Sequence, residues 1–99
     1  MYAQLLNEMR DAARQGRVYL TEHARDEMVD DDLMFQDVIH CILPGEIIEQ
    51  QYDLKRKEYK YVIYGDCLDE AEIAVVAKLI YNQGVGVITV YRLRITDYE

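Results

Sequence analysis

Lys60, Lys78 and Arg92 are the residues of this chain whose spacing best suits joint chemistry. Each lies in an apolar run rich in Val, Ile and Tyr: Tyr59–Tyr64, Ile73–Tyr81 and Val87–Leu93. Successive side chains of a strand point to opposite faces. Ile73, Val75, Ala77, Leu79 and Tyr81 are uniformly apolar and belong to a core, so Lys78 falls on the other face with Ala74, Val76 and Ile80. The same alternation puts Lys60 with Val62 and Tyr64, and Arg92 with Ile88 and Val90, and the three cations are expected to share the open face. Such a cluster can hold one phosphate. It can equally solvate an exposed sheet, paired with Glu49, Glu58 or Glu72. A second basic group, Lys55-Arg56-Lys57, lies among Tyr52, Tyr59, Tyr61 and Tyr64. Cations interleaved with aromatics suit base stacking plus phosphate contact, and suit a protein interface as well.

The elements that must position these residues can be read from the pattern. Gly65-Asp66 and Asn82-Gln83-Gly84 separate the three apolar runs and are turn residues, so the runs predict an antiparallel meander. Upstream, Leu5, Leu6, Met9, Ala12 and Ala13 have the spacing of an amphipathic helix, stopped by Gly16. Arg17–Leu20 reads as a short extended piece. Thr21 is an N-cap for a brief helix over 22–30, and Asp30-Asp31-Asp32 breaks it. Phe35, Val38, Ile39 and Ile42 form the inward stripe of a third helix, ended by Pro44-Gly45. Glu46–Tyr52 is a polar-rich strand, expected on the sheet's edge. Helices grouped before strands predict an α+β fold, with the helices on one face of an antiparallel meander of three to four strands.

The 99 residues suit one domain, 1–99, with a core small enough that oligomerisation or a bound partner would help stabilise it. Hydrophobic content of 51% excludes a wholly disordered chain. No apolar run approaches the ~20 residues of a membrane span, and the charged N-terminal stretch does not read as a signal peptide, so a cytoplasmic location is expected. Cys41 and Cys67 form no motif and read as reduced thiols. His40 has no ligand spacing, and Asp30–Asp32 lack the Gly and distal Glu of a calcium loop, so no metal is expected. The net charge is −8, unevenly spread. Residues 1–50 carry four Lys or Arg against eleven Asp or Glu, whereas residues 51–99 carry seven against eight. The basic side chains therefore gather on the sheet: Lys55, Arg56, Lys57, Lys60, Lys78, Arg92 and Arg94.

Three stretches carry a resemblance that covers the chain from about Leu5 to Leu93. They are His23-Ala24-Arg25 after Thr21-Glu22, Gly45-Glu46-Ile47-Ile48, and Val87-Ile88-Thr89-Val90-Tyr91. The chain resembles the small bacterial domain-of-unknown-function family 4258. More distantly, its order of elements is similar to the MqsR and RelE-type toxins, small mRNA endonucleases. That resemblance implies a type II toxin–antitoxin component: a metal-free endoribonuclease, with no cofactor, acting on RNA and silenced by a zinc-finger or DNA-binding antitoxin. Metal-free cleavage needs a base, cations at the phosphate and an acid at the leaving oxygen. On that reading Lys60, Lys78 and Arg92 contact the phosphate, Tyr91 or His23 transfers the proton, and the interleaved Lys55, Arg56, Lys57 and Tyr61 bind the RNA. Where the family usually carries Arg after the histidine and before the third helix, this chain has Glu27 and Asp31-Asp32. Those acidic residues, with the net charge, motivate an alternative: a catalytically silent protein-binding module, engaging a partner or a second copy as a homodimer through the open face and the Glu46–Tyr52 edge.

Overall fold

The computed structural model describes residues 2–68, 71–80 and 82–93. In chain order the elements are α1 (Ala3–Arg14), β1 (Val18–Leu20), α2 (Glu22–Asp30), α3 (Phe35–Ile42), β2 (Glu46–Asp53), β3 (Glu58–Asp66), β4 (Glu72–Ile80) and β5 (Gly84–Arg92). The helices form where the apolar spacing predicts. Met9, Ala12 and Ala13 are the buried stripe of α1, and Gly16 follows at φ +74°, a conformation that costs glycine little. Thr21 caps α2, its hydroxyl accepting from the Ala24 amide at 3.1 Å. At the start of α3 the Asp37 carboxylate returns to the Met34 amide at 2.8 Å. Val38, Cys41 and Ile42 turn inward from α3, whereas Phe35, expected among them, is exposed. Leu33, two residues earlier, takes the buried place instead.

Among the described residues the strands make one five-stranded mixed sheet in the order β1-β5-β4-β3-β2. β2 through β5 are antiparallel as expected, and β2 lies at an edge. The expected three to four strands become five because Val18–Leu20 pairs in parallel with Val85–Val87. A three-residue segment joined by a crossover of more than sixty residues has no local signal of such pairing. All three helices contribute to one core cluster with Ile63, Ile73, Val75, Ala77, Val85, Val87 and Val90, which fixes the helical face of the sheet. On the other face Val62, Ala74 and Val76 are buried among their neighbours, packed against Tyr64 and Leu93.

Two local features depart from a plain meander. Gly65 does not turn the chain but stays inside β3, and the connection to β4 begins after Asp66. A Cβ at Gly65 would stand 2.6 Å from the Cys41 carbonyl oxygen, so the glycine is there to let α3 lie on the strand backbone. In β5, Val76 pairs with Thr89 but Ala77 with Val87, leaving Ile88 as a bulge. A second bulge, at Ile48, interrupts β2. Because a bulge adds one residue, it reverses which side chains face the core. Tyr81 and Arg94, named in the sequence reading, lie outside the described residues.

Candidate nucleic-acid interface

The register of the sheet divides the expected site residues into two groups. Lys60 and Lys78 do share the open face: Tyr61 pairs with Ala77, and one step along sets the two lysines side by side. Lys78 donates to the Glu58 carboxylate and is thereby neutralised, while Lys60 forms no ion pair among the described residues. Arg92 does not join them. It pairs with Ile73 on the helical face, where its amide and Nε bond the Asp31 side chain and carbonyl at 3.2 Å and 2.8 Å. The Ile88 bulge is the reason. Downstream of it Val90 and Arg92 face the helices, and Thr89 and Tyr91 face outward, so a reading that placed Val90 on the open face inverted the end of the strand.

Tyr91 stands on the open face, but at the end of the sheet away from Lys60. They are roughly four residues and two strands apart, on the order of 16 Å at ~3.3 Å per residue and ~4.8 Å per strand. Burial, and then the proximity of Tyr64, Glu49 and Glu27, pushes the Tyr91 hydroxyl above its ordinary pKa. The phenol is thereby a weaker acid than an exposed tyrosine. His23 is exposed near the start of α2, with Nε2 3.3 Å from Glu27 Oε1. His23, Glu27 and Tyr91 thus form one neighbourhood, and Lys60 and Lys78 another. No single phosphate site holds all five expected catalytic residues.

The lysines belong to a larger basic end. The β2–β3 hairpin turns through Leu54-Lys55-Arg56-Lys57, and Lys57 adopts φ 55°. Asp53 builds the turn: its Oδ1 accepts from the Lys55 and Arg56 amides at 3.0 Å and 3.1 Å. These bonds, the one from Arg56 foremost, hold the Asp53 carboxyl below its ordinary pKa. Five of the chain's eleven Lys and Arg (Lys55, Arg56, Lys57, Lys60 and Lys78) collect at this end. On the helical side of the same hairpin, past the cover of the helices, Tyr52 and Tyr59 meet edge to face at 5.0 Å, each about half exposed (47% and 52%). Tyr61 lies next along β3 on that side, half-buried, edge-on to Tyr2 at 5.8 Å and accepting from Gln50 Nε2. The result is a row of tyrosines leading to a cationic tip. Tyr61 is the inner, packed member of the row, and Tyr52 and Tyr59 are its accessible members.

Three acidic side chains, Glu27, Asp31 and Asp37, serve backbone amides. Glu27 and Asp31 bond the backbone of β5, and Asp37, buried, bonds the Leu68 amide through Oδ1 at 2.8 Å as well as Met34. The i,i+4 spacing of Glu27 and Asp31 directly after a very short strand was the available signal. His40 Nδ1 lies 2.8 Å from the Asp66 carbonyl and must donate to it, since a carbonyl only accepts. Among the described residues no group of three or more His, Cys, Asp or Glu is arranged to hold a metal ion. No described helix is long and apolar enough to cross a membrane.

Residues 20–92 match the family model described as Domain of unknown function (DUF4258). No curated protein and no solved structure matches the chain.

Proposed function

The chain belongs to the DUF4258 family, and from that premise we propose that it is an RNA-binding domain taking a single-stranded segment at the β2–β3 hairpin end. The observation that carries this reading is the exposed Tyr52–Tyr59 pair beside Lys55, Arg56 and Lys57 in a chain of net charge −8. Aromatic faces accept unstacked bases at about 1–3 kcal/mol each, and flanking cations follow the phosphates. A duplex keeps its bases stacked and offers no such partner, so the ligand is a single strand. Lys60, on the other side of the hairpin, extends the phosphate track. The test is fluorescence anisotropy with a short labelled single-stranded RNA. Tyr59→Ala weakens binding about 5- to 150-fold, the equivalent of one stacked base. The triple change Lys55→Ala, Arg56→Ala, Lys57→Ala lowers the slope of log affinity against log salt by about 2, at ~0.7 per phosphate contact on a single strand. Unchanged affinity in both variants overturns the reading.

A second reading, a metal-free endoribonuclease of a toxin–antitoxin pair, is favoured by the His23–Glu27–Tyr91 neighbourhood. Glu27 orients His23, while Tyr91 holds a proton to give to a leaving oxygen. Against it, Lys60 and Lys78 stand at the far end of the sheet, and Arg92 is bonded to Asp31. On this reading induced expression arrests growth and a small zinc-finger or DNA-binding antitoxin relieves it. His23→Ala with Tyr91→Phe abolishes the arrest. Normal growth with intact total RNA on strong induction removes it.

A further inference from the structure

The two edges of the sheet are finished differently. On the outer side of β5, β1 pairs over Val85–Val87, and α2 side chains or the Thr21 hydroxyl then bond Ile88, Val90 and Arg92. On the outer side of β2, among the described residues, no strand pairs with residues 46–52 and no loop or side chain bonds their backbone. Only the bulge at Ile48 and the charges of Glu46, Glu49 and Asp53 blunt that edge. Ile48 and Tyr52 are each 47% exposed along it.

We propose that β2 pairs antiparallel with β2 of a second copy about a two-fold axis through Gln50, extending the sheet across both subunits. The inference does not rest on the RNA-binding reading, although it engages two of the same residues, Tyr52 and Lys55. Charge selects both the occupant and the register. The strand carries three carboxylates and no cation, and three cations, Lys55, Arg56 and Lys57, follow it directly. An antiparallel second copy therefore brings its basic tip to the acidic start of the first, and symmetry repeats the match. With the helices of both copies on one side, opposed residues share a face, so the axis passes through a residue. Through Glu49 it sets that carboxylate against its own copy. Through Gln51 it sets Glu49 against Asp53. Through Gln50 no carboxylate faces another: Glu49 meets the partner's Gln51, Ile48 meets the partner's Tyr52, and Glu46 lies beside the partner's Leu54 and Lys55. Gln51 Nε2 already donates to Glu49 Oε2 at 3.1 Å within one copy, and the same donor and acceptor can exchange across the axis. The exposed Ile48 and Tyr52 cover one another. Because the Ile48 bulge interrupts alternation, the ladder spans Ile48 to Tyr52.

The test is sedimentation equilibrium of the full chain and of charge-reversed variants. The unaltered chain is expected at twice 11.7 kDa. Glu46→Lys and Lys55→Glu, both at exposed positions where folding is untouched, each raise the dimer dissociation constant about tenfold or more by opposing like charges. The double reversal Glu46→Lys with Lys55→Glu restores the dimer. A monomer mass for the unaltered chain at every concentration overturns the proposal, as does a dimer indifferent to both single reversals. Failure of the double reversal to recover association overturns the register through Gln50.

Discussion

The Glu27 carboxylate of α2 lies 3.0 Å from the amide nitrogen of Val90 in β5 and accepts its hydrogen bond. One helical turn on, Asp31 does the same for Arg92 at 3.2 Å. The match is geometric. Four helical residues advance about 6 Å, two strand residues about 6.7 Å, so carboxylates at i and i+4 meet amides at j and j+2. Two side chains continue an edge that β1 leaves after Leu20, so Glu27 and Asp31 have a structural task.

Removing that acceptor leaves a half-buried amide without its partner, which costs about 1–3 kcal/mol. Glu27→Ala should lower the urea midpoint accordingly and raise light scattering, because an open strand edge invites pairing between chains. Glu27→Gln keeps an acceptor oxygen and should lose less than half as much. Equal stability of all three proteins would show that water serves the Val90 amide just as well.

Asp37 ties the start of α3 to the β3–β4 connection through bonds of 2.8 Å to the Met34 and Leu68 amides. Asp37→Ala breaks both and should cost about 2–4 kcal/mol, two charge-assisted bonds. Asp37→Asn retains one acceptor and should recover part of it. Hydrogen exchange is the sharper measurement: the Leu68 amide should lose protection in both variants before the amides of β4 do.

Burial, followed by the proximity of Cys67 and Asp66, pushes the Cys41 thiol up to about 12 from an ordinary 9.0. The unfolded chain thus releases this proton near pH 9, and the folded chain keeps it. Stability is whole below pH 9 and falls as pH rises from there through about 12, by up to ~4 kcal/mol for the three-unit difference. In Cys41→Ala this loss is absent. Its stability deficit against the unaltered protein should therefore shrink between pH 8 and pH 11, measured by chemical denaturation at each pH. A constant deficit would refute the assignment.

Gly84 has φ +141°, and a Cβ there would stand 2.2 Å from the Arg17 carbonyl oxygen. That carbonyl, just ahead of β1, accepts from the Val85 amide at 3.0 Å. Gly84→Ala should force β1 off the sheet and cost more than about 3 kcal/mol, combining backbone strain with lost pairing. Gly16→Ala, also at positive φ but facing open space, should cost only about 1 kcal/mol.

The sequence made the helices and the meander legible because their signals are local: the apolar stripe of α1, Thr21 as a cap, Pro44 after α3. The same holds for the shared face of Lys60 and Lys78, which lie in strands paired without a slip. What was not legible depended on a single inserted residue or on distant pairing. Ile88 looks like any strand residue, and only its partner in β4 shows that it is extra, so the face of Arg92 could not be read. Gly65 carries the composition of a turn, and only the approach of Cys41 explains its place inside a strand. Phe35 has the right spacing for the core but lies one turn too early on α3, where Leu33 already fills the space.

The β1–β5 pairing also orders events in time. β1 and α2 are made early, yet their place is beside β5, with Val18 pairing sixty-seven residues later in the chain. While the chain is being synthesised, the apolar stripes of α1 and α2 have no strand to lie on until β5 has left the ribosome. The β2–β3–β4 meander can pair as it emerges, but α2, with Glu27 and Asp31, can dock only at the close. This domain should therefore gain much of its native stability in a late step upon release of β5, and a nascent chain stalled before Gly84 should remain open to protease through β1 and α2.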